Sequence, residues 1–332
     1  MILELFTEEV ELIMQNLHKP AKIFIIVIFS MLIIIISSSF LNHKIQLSKE
    51  AKLLSPIGEM VTINGHNLHV YSEGQGEKTL IFMAGGGTSS PLFDFKTLYS
   101  RLSDDYKIVV IEKSGYGFSE DSPSSRDLNT MLFETRESLL KSGIPGPYIL
   151  FPHSMSGIEA LYWAQKHPDE VEAIVGLDMA IPQIYEDYLI NRPIINLASF
   201  GSKIGITRFF PQVASSSAAI KQGTLTDDEK KVYKAIFYQK TLSKSMRNEI
   251  YEIKANVALV NSLGKPHLPI LLFISNGEET GWNKNTWIEA QKSYITNIPN
   301  SKMIEVDASH YIHNISDELI AKESKSFLNK LP

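Results

Sequence analysis

The 332-residue chain contains no cysteine, which excludes disulfide bonds, thiolate metal sites and a cysteine nucleophile. It also lacks an excess of basic residues, since 32 Lys and Arg stand against 37 Asp and Glu, for a formal net charge of −5. A nucleic-acid partner is therefore not expected, because no surplus of positive charge is present to neutralise phosphates. With 44% apolar and 21% charged residues, most of the chain can build a core, which excludes extensive disorder.

The apolar residues are unevenly distributed, and one segment near the N-terminus carries no charge. Residues 23–42 include fifteen Ile, Val, Leu, Met or Phe residues. A helix of about 20 residues rises about 30 Å, the thickness of the hydrocarbon core of a bilayer. We expect a transmembrane helix or signal anchor at 23–42, between an N-terminal flank at 1–22 and a linker at 43–57. A buried core helix is disfavoured because this segment has no polar face.

The localisation of the protein depends on whether this segment is retained as a membrane anchor or cleaved as a signal peptide. An uncleaved anchor predicts a single-pass membrane protein whose remaining chain lies outside the cytoplasm. Cleavage as a secretory signal predicts a secreted protein, and Ser37 and Ser39 supply small residues near a possible cleavage point. The flank carries acidic residues, including Glu8 and Glu9, which are atypical of a signal peptide. We therefore favour the anchor, with secretion as the alternative.

From residue 58 onward, short apolar runs alternate with helical patterns. The dipeptide Asn64-Gly65 predicts a tight turn between strands at 60–63 and 68–71. The alternation predicts an α/β protein with a mostly parallel sheet. The predicted core spans 58–180 and 269–332, and 181–268 is predicted to be a helical insertion because it lacks a clear strand. The further strands are expected at 79–83, 107–111, 148–151, 173–177, 270–274 and 302–306, and the main helices at 125–141, 156–166, 227–238, 245–260, 286–296 and 316–329.

Three kinds of reactive side chain follow predicted strands of this sheet. Ser154 lies between small residues on the turn that joins the strand at 148–151 to a helix. His310 follows the last strand, and carboxylates follow two others, at Asp178 and at Glu278 and Glu279. Because parallel strands end at one edge of a sheet, we expect these residues to converge. A serine, a histidine and a carboxylate together form a nucleophile activated by a general base.

Further motifs resemble those of the α/β-hydrolase superfamily, in particular its capped serine esterases, lipases and aminopeptidases. Ala84-Gly85-Gly86-Gly87 matches the loop after the third strand, and Glu112 to Ser119 is similar to the Asp-x-x-Gly-x-Gly-x-Ser segment. The tail from His310 to Leu328 resembles the loop and final helix that carry the catalytic histidine. The resemblance covers roughly 58–331 and implies an α/β-hydrolase fold, with 181–268 as a helical cap.

The resemblance implies a serine hydrolase that cleaves a carboxylic ester or amide bond through an acyl-enzyme. Ser154 would be the nucleophile and His310 the base. For the acid we favour Glu279, with Asp178 and Glu278 as alternatives. No cofactor or metal is implied. The substrate would be a small ester or amide, and lipid-like molecules are candidates because residues 23–42 would hold the enzyme at a membrane.

The oxyanion hole is expected to use the backbone N–H of Met155 and that of Gly86, with Gly85 as a second choice. The sequence departs from the family pattern at Pro152 and Ser156, where glycines are usual. Pro152 and the unusual acid loop at Gly277-Glu278-Glu279 support an alternative, a catalytically silent, membrane-tethered binding module on the same fold. A second alternative is an aminopeptidase rather than an esterase.

Overall fold

The computed structural model describes residues 18–296 and 298–331, which form one eight-stranded sheet with helices around it. The strand order is β1-β2-β4-β3-β5-β6-β7-β8. The first two strands pair antiparallel with each other and β2 pairs antiparallel with β4, whereas all later pairings are parallel. The strands are β1 (Glu59–Ile63), β2 (His66–Glu73), β3 (Thr79–Met83), β4 (Lys107–Glu112), β5 (Tyr148–Pro152), β6 (Val171–Leu177), β7 (Ile270–Ile274) and β8 (Lys302–Glu305).

Helices separate most of the parallel strands, as the alternation in the sequence predicts. They are α1 (Lys19–Glu50), α2 (Pro91–Asp94), α3 (Lys96–Tyr99), α4 (Leu128–Lys141), α5 (Ser156–Lys166), α6 (Arg192–Lys203), α7 (Pro211–Ala214), α8 (Ala218–Lys221), α9 (Asp227–Lys240), α10 (Lys244–Ser262), α11 (Lys284–Ile295), α12 (Ile312–Ile315) and α13 (Asp317–Leu328). Short 3₁₀ turns occupy Ala51–Leu53, Pro168–Glu170, Pro182–Tyr185 and Ile206–Phe209. The predicted α/β class and mostly parallel sheet are confirmed.

The first hairpin shows how local sequence sets the start of the sheet. Asn64 and Gly65 both adopt positive φ, at 49° and 82°, as a two-residue turn of type I′ requires. Ile63 then pairs with His66 in the antiparallel register. The central strands β3, β5 and β7 are buried along their whole length, which explains their uninterrupted apolar sequences.

The sheet topology brings four loops together at its carboxyl edge. Strands β5, β6, β7 and β8 are neighbours and run parallel, so their C-terminal ends lie side by side. The loops that leave these ends carry Ser154, Asp178, Glu279 and His310 respectively. Between β6 and β7 the described chain contains helices α6 to α10 and short turns, so the segment predicted as a cap is helical. Its assignment as a cap stays a prediction.

The N-terminal helix is longer than the apolar segment alone. α1 continues past Asn42 to Glu50, so 43–50 is helical, whereas the sequence predicted a linker at 43–57. The extension is stabilised by contacts with the helical segment, including two hydrogen bonds from the Arg208 guanidinium to the Glu50 carboxylate at 2.7 and 2.8 Å. Of the described helices, this one alone is long and apolar enough to serve as a membrane span or a signal sequence. Most of the predicted flank at 1–22 lies outside the described residues.

Candidate active site

Ser154 occupies a sharp turn between β5 and α5. Its φ is +53°, in the left-handed region that a non-glycine residue seldom adopts. The Ala180 N–H donates to the Ser154 carbonyl at 2.8 Å and ties the turn to the loop after β6. A Cβ at Gly157 would lie only 2.2 Å from the Ala180 carbonyl oxygen, so the first turn of α5 needs glycine to pack there. The strand, turn and helix therefore present the Ser154 hydroxyl at the sheet edge.

The glycine loop after β3 lies directly against this turn. A Cβ on Gly85 would be 2.7 Å from Ser154 Cβ, and one on Gly86 would be 2.6 Å from the Met155 side chain. The Gly87 N–H donates to Tyr116 Oη at 3.3 Å, and the Tyr116 hydroxyl donates to Glu249 on α10 at 2.7 Å. The loop is thus held both by the core and by the helical segment, and it packs against Ser154 and Met155.

Asp178, at the end of β6, is hydrogen-bonded to the imidazole of His310. Asp178 Oδ2 lies 2.6 Å from His310 Nδ1, and both side chains are buried. The other oxygen, Oδ1, accepts three further hydrogen bonds, from the Ser275 N–H at 2.9 Å, Trp287 Nε1 at 2.9 Å and Gln291 Nε2 at 3.1 Å. With both of its oxygens bonded, the carboxylate has one orientation, and it fixes the orientation of the imidazole.

The charge state of Asp178 follows from these contacts. Burial raises the pKa of its carboxyl, but the hydrogen bond and the charge of His310, with the donor from Trp287, outweigh burial and leave the pKa below its usual value. Asp178 is therefore ionised at neutral pH. An ionised carboxylate against Nδ1 keeps the proton on that nitrogen and leaves Nε2 to accept a proton.

The two other candidate acids point elsewhere. Glu279 Oε2 accepts a hydrogen bond from Ser309 Oγ at 2.7 Å, and Glu278 forms an exposed ion pair with Lys284 at 2.7 Å. The backbone carbonyl of Glu278, rather than its side chain, accepts a hydrogen bond from the backbone N–H of His310 at 2.9 Å. The carboxylate that contacts His310 is therefore Asp178, an alternative in the sequence analysis, and the favoured Glu279 contacts Ser309 instead.

Aromatic rings enclose His310 on several sides. The His153 ring centroid lies 4.5 Å from that of His310, and Trp287 contacts His310 edge to face at 5.4 Å. Burial lowers the pKa of His153 well below its usual value, and the neighbouring His310 and His313 lower it further. His153 is therefore neutral and adds no positive charge beside His310.

A second buried polar group lies behind the site. Asp94, His153 and His313 place ligand atoms within 4.8 Å of one another, and they are the candidate metal-ligating group of the described residues. Asp94 Oδ2 and His313 Nε2 already form a hydrogen bond of 3.0 Å. This bond uses one ligand atom each of Asp94 and His313. His153 Nε2 lies 3.2 Å from the His310 carbonyl oxygen, so this side chain supports the His310 loop.

The sequence did not predict that Trp287 and Gln291 would donate hydrogen bonds to Asp178. They lie four residues apart on α11, so their side chains share one face of that helix. The sequence does place Gln291 one helical turn after Trp287 on an amphipathic helix. This spacing was the available sign that the two side chains could act together. It became meaningful only once α11 was placed against the end of β6.

A cavity of about 490 Å³ lies beside these loops. Its walls include Gly87 and Ser309, which neighbour the glycine loop and His310, and also Val213 and Tyr233 from the helical segment. The cavity therefore lies between the sheet edge and the segment between β6 and β7.

Comparisons with known proteins agree with this architecture. The family model described as "alpha/beta hydrolase fold" matches residues 78–194. The protein YbdG of Bacillus subtilis (strain 168) is 35% identical over 325 residues, which cover 96% of this chain and 100% of YbdG. The 2-(acetamidomethylene)succinate hydrolase of Mesorhizobium japonicum is 28% identical over 122 residues, 37% of this chain and 42% of that enzyme.

Solved structures show the same fold at low sequence identity. The bromoperoxidase of Bacillus anthracis superposes with a TM-score of 0.63 at 16% identity, over 82% of this chain and 100% of that one. A putative lipase of Acinetobacter baumannii superposes with a TM-score of 0.60 at 13% identity, over 87% and 96%. The chain therefore belongs to the α/β-hydrolase superfamily, a family of hydrolytic enzymes.

Proposed function

We propose that the protein is a serine hydrolase that cleaves a carboxylic ester or amide bond through an acyl-enzyme. Ser154 is the nucleophile, His310 the general base and Asp178 the acid that orients it. The observation that carries this proposal is the 2.6 Å hydrogen bond between Asp178 and His310, on loops that neighbour the strained turn of Ser154.

The chemistry of these groups gives a two-step reaction. His310 Nε2 accepts the Ser154 proton as Oγ attacks the carbonyl carbon, and the protonated imidazole then gives this proton to the leaving alcohol or amine. Asp178 stabilises the imidazolium that forms between these steps. Water, deprotonated by His310, then attacks the acyl-Ser154 ester and releases the acid, which restores the hydroxyl.

The oxyanion of each tetrahedral intermediate needs hydrogen-bond donors. We assign this role to the backbone N–H groups of Met155 and Gly86, with Gly85 as the second choice, because the glycine loop packs against Ser154 and Met155. One such donor contributes roughly 3 to 4 kcal/mol to barrier lowering in related chemistry. Tyr116 supports the loop by accepting the Gly87 N–H.

We also propose that α1 is an uncleaved membrane anchor, with the hydrolase domain outside the cytoplasm. The helix is continuous through the possible cleavage point, and Ser39 is buried against the helical segment. Removal of the apolar segment would therefore break a contact that the folded domain uses. Anchoring makes lipid-like esters candidate substrates.

A fluorophosphonate probe tests the nucleophile directly. We expect it to label the folded, detergent-solubilised protein at Ser154, because an activated serine attacks phosphorus as it attacks a carbonyl carbon. Mass spectrometry of the labelled peptide identifies the residue. An unlabelled folded protein would instead support the catalytically silent binding module.

Two sets of substrates, tested on the same protein preparation, distinguish an esterase from an aminopeptidase. p-Nitrophenyl esters of increasing chain length report esterase activity, and amino-acid naphthylamides report aminopeptidase activity. A ratio that favours esters supports the esterase proposal, and the opposite ratio assigns an aminopeptidase.

Two alanine substitutions in the glycine loop form a matched pair. Gly85→Ala is expected to lower kcat by about 10²-fold or more, because its Cβ would overlap Ser154 Cβ and push the donor loop away from the nucleophile. Gly86→Ala should cost much less, since its Cβ meets only the flexible end of Met155. The measurement is kcat on one ester, with melting temperatures to confirm folding. Equal losses in both variants would contradict the proposed packing of the loop.

A further inference from the structure

Helix α6 packs onto the protein through its polar side. Ser199 and Ser202 are the buried residues of this helix, and Ser199 Oγ donates to the Leu242 carbonyl at 3.2 Å. Asn196 Oδ1 accepts a hydrogen bond from Arg247 on α10 at 2.9 Å. A surface helix of a soluble domain normally packs through its apolar side. In α6 this arrangement is reversed.

The apolar side chains of α6 consequently point away from the protein. Ile194, Leu197 and Phe200 recur every three residues, on one face of the helix, and are 51% to 71% exposed. The turn at Ile206–Phe209 packs against both α6 and α7, and it extends this surface. We call the whole surface the apolar cap face, and its members are Ile194, Leu197, Phe200, Phe209, Phe210 and Val213. An exposed apolar surface of this extent indicates an interaction site.

The apolar cap face is joined to the end of the apolar run of α1. Ser39 Oγ donates to the Ile204 carbonyl, between the two halves of the face. One turn further along α1, His43 packs on Gly205, whose φ is +80° and whose missing side chain lets the helix approach. The Arg208 guanidinium then donates two hydrogen bonds to the Glu50 carboxylate, at 2.7 and 2.8 Å.

We propose that the apolar cap face lies in the interface of the lipid bilayer that α1 crosses. About 20 residues of α1 span the hydrocarbon core, and the contacts with residues 204–208 begin where that run ends. This geometry places the face at the boundary between acyl chains and headgroups. Amphipathic helices bind there with the apolar side buried about 5 to 10 Å.

Charged residues fit the same orientation. Lys44 on α1 and Lys203 at the end of α6 are exposed, and both lie next to the contact between α1 and the helical segment. Lysines at this level can reach lipid phosphates while apolar neighbours enter the acyl region. Val213 of the apolar cap face also lines the cavity beside the candidate active site, so that cavity has one wall at the proposed lipid interface.

The absence of cysteine provides a direct test, since single cysteines can be introduced and spin-labelled without removing any. The full chain is reconstituted in nanodiscs of phosphatidylcholine and phosphatidylglycerol. Leu197→Cys and Phe209→Cys report the apolar cap face, Ile28→Cys reports α1, and Lys322→Cys reports an exposed site on α13. Electron paramagnetic resonance then compares collisions of each label with oxygen, which concentrates in lipid, and with a water-soluble nickel chelate.

We expect the ratio of oxygen to nickel collisions at residues 197 and 209 to be several-fold higher than at residue 322. The ratio at residue 28 should also be higher than at residue 322. If the labels at residues 197 and 209 gave the same ratio of oxygen to nickel collisions as the label at residue 322, the proposal would be overturned. A water-exposed label at residue 28 would also overturn it, because α1 would then not cross the bilayer. Protection from both reagents with spin–spin broadening would assign the face to a second copy instead. Fluorophosphonate labelling of the same samples reports the hydrolase proposal separately.

Discussion

Ser154→Ala is expected to lower kcat for a p-nitrophenyl ester by about 10⁴-fold or more, since loss of the nucleophile in serine hydrolases removes most of the rate enhancement. Binding should change little, because the substrate contacts of the cavity and glycine loop stay in place. The variant should also fold, since alanine meets the same backbone strain at φ +53° as serine does. The measurement is kcat and KM of the solubilised full-length protein, with the melting temperature as the check on folding.

Ser156→Ala is the matched control for this substitution. Its hydroxyl lies two residues away and donates to the Met83 carbonyl at 2.6 Å and the His153 carbonyl at 2.9 Å, so it supports the turn. We expect it to lower stability by about 1 kcal/mol while most of the activity remains. If Ser154→Ala kept the wild-type rate and Ser156→Ala lost it, the proposed nucleophile would be wrong.

Much of the fold was predictable because its determinants are local. Asn64-Gly65 sets the first hairpin through its positive φ angles, and strands buried on both faces, such as β7, appear as short apolar runs. The helix at 156–166 has the bounds that the sequence predicts. The sequence could place Ser154 and His310 near one another because each follows a strand that ends at the same edge of the sheet.

The contact partner of His310 was not predictable in this way. Asp178 and Glu279 both follow strands that end at this edge, and spacing along the chain does not tell which carboxylate turns toward His310. The choice depends on α11, whose Trp287 and Gln291 hold one Asp178 oxygen so that the other faces the imidazole. These contacts join residues more than a hundred positions apart, and only the tertiary structure brings them together.

The same reasoning applies to the end of α1. The sequence after residue 42 is polar and was interpreted as a linker. In the structure it stays helical because the Arg208 guanidinium pairs with Glu50 and packs on the Tyr238 ring at 4.1 Å. A helix can thus extend beyond its apolar run when a distant segment supplies partners for its polar face.

Asp178→Asn is expected to lower kcat by about 10⁴-fold, the size of loss seen when the acid of a serine triad becomes an amide. An amide does not stabilise the imidazolium by charge, and its N–H₂ can hold His310 in the tautomer that lacks a basic Nε2. KM should change little, since the carboxylate is buried behind His310 and does not reach the cavity walls. The measurement is kcat and KM on the ester used for Ser154→Ala.

Glu279→Gln is the control that separates the two candidate acids. Glu279 bonds to Ser309 and lines the cavity, so its amide variant can alter KM but should keep most of kcat. A large loss of kcat in Glu279→Gln, with activity retained in Asp178→Asn, would restore the assignment that the sequence favoured. Similar losses in both would indicate a general disturbance of the His310 loop, which melting temperatures would reveal.

The pH dependence of stability gives Asp178 a second signature that does not depend on catalysis. Folding lowers the pKa of the Asp178 carboxyl below its usual value of 3.8. The ionised carboxylate therefore stabilises the folded state fully above pH 3.8. This stabilisation is lost as the pH falls through the pKa of the folded state. Wild type should therefore lose its stability advantage over Asp178→Asn as the pH drops below about 4. Urea unfolding at pH 7 and at pH 3 measures this difference. An advantage that stayed constant between these pH values would mean that Asp178 is not held as the charged partner of His310.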